Sequence, residues 1–232
     1  MNKVNQLSFA GQTIYCGLDA HKTNWKINCR MEDMEIASFS QNADAVLLKK
    51  HMSSNYPDAE IKVVYEAGFC GFGIQRSLKE LGIECIIVNA ADIPTTDKER
   101  KRKDDKRDAR KLSRELAEGS LKAIYVPQPS MEHARSLVRQ RHRLVQDQTR
   151  CKNRIKHLMM FSGLSTQSAQ ERWSQKYVKE LLHLDCGTEQ LKSALYLAVE
   201  QYQHIRKLLK EATVLIKNLS KQEPFATVQK YL

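Results

Sequence analysis

The chain lacks several things whose absence narrows its function. No stretch is long and apolar enough to cross a bilayer, which excludes a membrane-spanning helix. The opening Met1 to Gln12 is mostly polar and has no signal-peptide core, so a cytoplasmic protein with no membrane partner is expected. None of the six cysteines (Cys16, Cys29, Cys70, Cys85, Cys151, Cys186) forms a CxxC pair, which argues against zinc and for reduced, partly buried thiols. The seven histidines show no ligand spacing and read as ordinary surface or partly buried residues. Proline and glycine are missing from Met131 to Phe161, as a long uninterrupted helix requires. Acidic residues are in deficit, 27 against 38 Lys and Arg, and the net charge of +11 favours a polyanionic partner.

What is present falls into two halves. Thr13 to Leu18, Trp25 to Met31 and Glu35 to Phe39 read as strands joined by short connections, hence antiparallel. Asn42 to Met52 reads as a helix with Val46, Leu47 and Leu48 facing inward. Ile61 to Tyr65 is an apolar strand closed by Glu66. Gly68, Gly71 and Gly73 open a helix near Phe72 to Leu81, and Glu84 to Val88 is a further strand. A basic helix follows. That order predicts an α/β RNase H-like fold over residues 1–126, and Pro127 and Pro129 mark a boundary.

Residues 127–232 read as helical. Leu191, Leu195, Ala198, Tyr202, Ile205, Leu209, Ala212, Ile216 and Leu219 alternate steps of four and three, the pattern of a coiled-coil seam. Either an antiparallel hairpin within the chain or a second copy can cover it. Without an obvious internal cover, a coiled-coil stalk that forms a homodimer or higher oligomer is expected.

Four carboxylates stand at informative places. Asp19 closes the first strand and Glu66 closes the fourth, just before a glycine-rich turn. Asp105 and Asp108 are three apart, so they share a helix face amid Lys101, Arg102, Lys103, Lys106, Arg107, Arg110 and Lys111. The spacing to Asp108 favours Asp105 over Asp104. Converging carboxylates repel, and hard divalent cations with oxygen ligands relieve the repulsion. Two such ions can activate an attacking oxygen and stabilise a leaving one at a phosphodiester.

The segments Gly17-Leu18-Asp19-Ala20-His21-Lys22, Tyr65-Glu66-Ala67-Gly68 and Asp105-Lys106-Arg107-Asp108-Ala109 resemble the DEDD transposases of bacterial insertion sequences. These are bridge-RNA-guided recombinases, relatives of the Piv invertase. Ile124-Tyr125-Val126-Pro127 and the helix around Arg150-Cys151-Lys152-Asn153-Arg154-Ile155-Lys156 extend the likeness over nearly the whole chain. The resemblance implies a RuvC-like domain in which Asp19, Glu66, Asp105 and Asp108 are catalytic and bind Mg2+, with a two-metal site as one arrangement. It also implies a guide RNA and target and donor DNA as partners. Family members continue into a C-terminal domain with a serine nucleophile, which is expected to be absent here.

Two basic surfaces suit backbone phosphates. One comprises Lys22, Lys98, Arg100, Lys101, Arg102, Lys103, Lys106, Arg107 and Arg110. The other is a helix bearing Arg135, Arg139, Arg143, Arg150, Lys152, Arg154 and Lys156. A free-standing RuvC-like nuclease, such as a Holliday-junction resolvase, would share the carboxylates. A non-catalytic RNA-binding dimerisation module would share the basic surfaces without needing metal.

Overall fold

Alternation of apolar and polar side chains sets the sheet's two faces. In the computed structural model, which describes residues 8–94, 105–166 and 173–229 and the side chains of all of these except 105–107 and 228–229, the chain divides into two compact units, Met1–Val126 and Pro127–Leu232. The first is a mixed sheet with helices. β1 (Thr13–Ala20), β2 (Asn24–Met31) and β3 (Met34–Asn42) pair antiparallel. β4 (Glu60–Glu66) and β5 (Glu84–Val88) add in parallel beyond β1, giving a five-stranded sheet in the order β3-β2-β1-β4-β5. The arrangement is consistent with an RNase H-like fold.

One face of this sheet carries the larger core. Ile14, Cys16, Leu18, Ile27, Cys29, Val63 and Tyr65 pack there with Leu48 and Met52 of α1 (Ala45–Asn55) and Leu78 of α2 (Gly73–Glu80). The helix α1 starts later than Asn42, because the Asp44 carboxylate accepts from the amides of Val46 and Leu47 and caps it. That register corrects the inward set. Ala45, Leu48 and Met52 are buried, whereas Val46 and Leu47 are exposed.

The other face is covered by α3 (Asp105–Ala117), whose Leu112 packs with Val64, Val88 and Ile93. After α3 the chain returns to the sheet edge. Ala123 bridges to Val88, and the Ile124 amide donates to the Ile87 carbonyl.

The second unit is helical. α4 (Pro129–Phe161) begins on Pro129, earlier than Met131, since proline suits the first turn. α5 (Gln175–Leu182) is capped by Ser174, α6 (Glu189–Leu219) by Thr188, and α7 (Phe225–Gln229) follows Pro224. Cys151, Ile155 and Met159 of α4 pack with Tyr177, Val178 and Leu181 of α5 and Leu195, Val199 and Tyr202 of α6. The α6 stripe therefore has a cover inside the chain, contrary to the expectation that it had none. Leu195, Tyr202 and Ala212 are buried, and Leu191, Ala198 and Ile205 pack against the same core. No described helix is long and apolar enough to cross a membrane.

Candidate functional site

A strand glycine makes the site possible. Gly17 lies on the α3 face of β1, directly opposite Asn28 of β2. A Cβ at Gly17 would stand 2.0 Å from the Ala109 carbonyl oxygen and 2.5 Å from the Ser113 amide nitrogen, so α3 lies backbone-to-backbone on the sheet. Such contact needs glycine for space. Across the same contact, the fully buried Ser113 hydroxyl donates to Asn28 Oδ1 at 2.6 Å. At the sheet's far side Arg110 pairs with Glu35 of β3 at 2.7 Å. These contacts fix both the height and the direction of α3.

That placement aims Asp108 at two strand ends. Strand alternation puts Asp19, two residues after Gly17, on the α3 face, and Glu66, two residues after Val64, on the same face. β1 and β4 are parallel neighbours with Leu18 paired to Tyr65, so Asp19 and Glu66 each follow the last paired residue. Asp108 precedes Leu112 by one helical turn. Asp19, Glu66, Asp108 and Leu112 line one cavity of about 230 Å³ with the glycine-rich turn after β4.

Tyr65 holds that turn. Its buried hydroxyl donates to the Gly71 carbonyl at 2.9 Å and accepts from the Gln75 amide at 3.3 Å. Cys70 donates its thiol to the Ala20 carbonyl at 3.4 Å, tying the turn to the end of β1. Burial pushes the Cys70 thiol pKa up, and the Asp19 charge adds to this. Phe69, 76% exposed, stands on the rim.

His21 is partly buried, in keeping with the reading of the histidines as surface or partly buried residues. Its Nε2 lies 3.2 Å from Asp19 Oδ2. The sequence signal was its place two residues after a strand-ending carboxylate. Gly17 was also overlooked as a positioning residue; a glycine inside an apolar strand is the available signal for close backbone approach. Lys26 stands opposite Asp19 in the antiparallel register and adds a positive charge to this neighbourhood.

The structure thus brings together Asp19, Glu66 and Asp108. The Asp105 side chain lies outside those described, as does all of Asp104. Among the described residues, no three His, Cys, Asp or Glu side chains stand close enough to hold a metal ion. The donor set around the cavity is nevertheless carboxylate oxygen from three elements, which suits a hard cation by chemistry.

The expected nucleic-acid residues divide. Lys98, Arg100, Lys101, Arg102 and Lys103, and the side chains of Lys106 and Arg107, lie outside the described residues. Lys22 is exposed on the turn after β1. Arg110 is engaged with Glu35, Arg150 with Asp147 at 3.0 Å, and Arg154 with the Cys151 sulfur. Arg135, Arg139, Arg143, Arg150 and Arg154 are exposed, and their spacing places them on one side of α4, away from Leu144, Cys151 and Ile155. Lys152 turns toward the helical core, 5.8 Å from the Trp173 ring centre and 5.9 Å from that of Tyr202. Its pKa is lowered by burial and then by the charges of Arg206 and Lys156. Lys156 is half-buried.

Comparison with known proteins gives the chain a family. Residues 16–162 match a family described as transposase, of the DEDD type and the IS110 group. The chain is 26% identical over 228 residues to a transposase for insertion sequence element IS1533 of Leptospira borgpetersenii, covering 91% of this chain and 62% of that protein. Two proteins of Sinorhizobium fredii (strain NBRC 101917 / NGR234), named as candidate transposases, are also similar. y4qE is 33% identical over 129 residues, 55% of this chain and 33% of its own length. y4rJ is 37% identical over 125 residues, 51% of this chain and 32% of its own length. The chain therefore spans less than two thirds of each of these relatives.

Proposed function

The chain belongs to the DEDD-type IS110 transposase family, and from that premise we propose that it forms the N-terminal metal- and nucleic-acid-binding part of an RNA-guided DNA transposase. The observation that carries this reading is the cavity shared by Asp19, Glu66 and Asp108, reached from two strand ends and one helix. In this reading the domain is RuvC-like, and Asp19, Glu66 and Asp108, with Asp105 beside them, hold Mg2+. Bound ions would activate the attacking oxygen and neutralise charge on the scissile phosphate. Gly17 sets the depth of the site by letting α3 approach, and Tyr65 fixes the rim. Lys26 supplies positive charge next to Asp19, and His21 lies within hydrogen-bond distance of it.

Basic surfaces without a base-reading motif suit a protein that grips phosphates and leaves sequence choice to a guide RNA. DNA joining in this reading also needs a serine-bearing C-terminal domain. Self-association through a coiled coil remains part of the proposal, but α6 can offer a second copy only what its own unit leaves uncovered, such as Leu197, Val214 and Leu215.

The test is metal binding and cleavage together. Asp19→Asn and Glu66→Gln should each weaken Mn2+ binding to this chain at least about tenfold by calorimetry. In a full-length protein, DNA cleavage should fall about 1,000-fold. Nucleic-acid affinity should stay within about twofold. Unchanged Mn2+ binding in both folded variants would remove the metal-site reading. Full retention of cleavage would remove the catalytic one.

A further inference from the structure

A second recess, in the helical unit, gathers cations that the proposed chemistry does not use. Lys179 of α5 and Arg206, Lys207 and Lys210 of α6 line a cavity of about 460 Å³, together with Gln175 and Gln203. Val178 and Leu182 form its apolar part. No carboxylate lines it among the described residues.

Like charges in one recess repel, and the arrangement is relieved when an anion lies among them. Arg206 is already oriented. It is half-buried, and its guanidinium donates to the Trp173 carbonyl at 3.4 Å and also interacts with the Tyr202 side chain. Its charge reaches Lys152 of α4 strongly enough to help lower that lysine's pKa, so the positive field extends behind the recess. Lys207 and Lys210 are exposed and free to adapt. One fixed guanidinium beside mobile ammonium groups suits phosphate oxygens. Gln175 and Gln203 add neutral donors and acceptors that can meet sugar hydroxyls.

We propose that the recess between α5 and α6, lined by Lys179, Arg206, Lys207 and Lys210, binds phosphodiester groups of a single nucleic-acid strand. Identification of the anion as nucleic acid rests on the transposase reading; the anion seat itself rests on the lining residues. Shape selects a strand over a duplex. A flexible strand can bring two or three successive phosphates to a recess between helices, whereas a stiff duplex fits an outward-facing row of charges such as the arginine side of α4.

The experiment uses the whole chain and three labelled probes of one mixed sequence: a 20-nucleotide RNA strand, the same DNA strand, and the DNA duplex. Binding is measured by fluorescence anisotropy between 50 and 300 mM KCl. Lys179→Gln/Arg206→Gln/Lys210→Gln should weaken strand binding at least about tenfold and reduce the log–log salt slope by about 2. Duplex binding should change much less. Lys207→Gln/Lys210→Gln, confined to exposed side chains, should give a slope change of about 1.4 and serves if the triple variant does not fold. A preference for the RNA strand, or for neither strand, is decided by comparing the two; either supports the seat if the variants weaken it. Equal losses for strand and duplex overturn the single-strand assignment. Folded variants with unchanged affinity and slope overturn the seat while leaving the transposase reading intact. Failure of the unaltered chain to bind any probe overturns both. Gln201→Ala, at an exposed neutral position of α6 outside the recess, is the control and should bind all three probes like the unaltered chain.

Discussion

Gly17 and Arg139 represent two ways of setting a residue in place. In the Met1–Val126 unit, the residues that matter are set by packing between elements. Asp19, Glu66 and Asp108 line one cavity because a helix lies against a strand at a position with no side chain. In the Pro127–Leu232 unit, the buried residues build the scaffold and the charged ones stand outward. Arg135, Arg139 and Arg143 follow one another at steps of four along a helix whose other side is core. The first arrangement is sensitive to displacements smaller than an atom's width. The second depends on charge and spacing, and individual positions within it are tolerant. The difference predicts where substitutions will be severe and where graded.

The largest expected effect is Gly17→Val. Its Cβ would fall within 3 Å of two backbone atoms of α3, which cannot move as a side-chain tip can. Overpacking of this kind costs about 3 kcal/mol or more. Urea denaturation followed by circular dichroism should show a correspondingly lowered midpoint, with α3 displaced and Mn2+ binding lost together. The same substitution at an exposed α4 position, Arg139→Val, should shift the midpoint by no more than about 0.5 kcal/mol. Equal effects at both positions would erase the contrast between the units.

This contrast also explains what was legible in the sequence. Local signals read well. The alternation in Trp25–Met31 and the apolar run Ile61–Tyr65 each state their structure within a few residues. Asp19 and Glu66 stand out as acidic residues at the ends of apolar strands, and Asp105 and Asp108 as a pair three apart on a helix. Readings that required knowing a distant partner went astray. The α6 stripe looked uncovered because α4, its cover, lies many residues earlier and has an apolar side less regular than a heptad. Val46 and Leu47 looked internal because the cap at Asp44, which sets the helix register, competes with Asn42 in the sequence. The glycine inside β1 and the place of His21 two residues after Asp19 hint at close contacts, but neither names its partner.

Next in size is the arginine side of α4. Arg135→Gln/Arg139→Gln/Arg143→Gln removes outward charges while keeping good helix formers, so stability should hold within about 1 kcal/mol. If these residues neutralise three phosphates of a duplex, affinity near 150 mM salt should fall about 100-fold and the salt slope by about 2.7. Single substitutions should each give roughly the cube root of that loss. A single variant that abolished duplex binding would mean that α4 works by geometric fit, as the sheet unit does, and the distinction between the units would need redrawing.

The smallest effect concerns the buried thiol of Cys85, which burial pushes up from the ordinary 9.0 to about 12. Cys85 lies on β5 among the core residues of the sheet unit. Below pH 9 the thiol is neutral in both folded and unfolded chains and contributes no pH dependence. Between about pH 9 and 12 the unfolded chain gives up the proton while the folded chain keeps it. The unfolded state then binds fewer protons, so stability falls as pH rises, by up to about 1.4 kcal/mol per pH unit in that window. At pH 10 the loss from this group is therefore about 1.4 kcal/mol relative to pH 8. Cys85→Ala lowers stability at neutral pH by removing a packed sulfur, yet its stability should decline less steeply above pH 9. Tyr177 and Tyr202 of the helical unit are also raised by burial, but they remain in both proteins and cancel in the difference. Urea titrations of the two proteins at pH 8, 9 and 10 give that difference directly. Parallel declines would mean that solvent reaches the core on the sheet face that α1 and α2 cover.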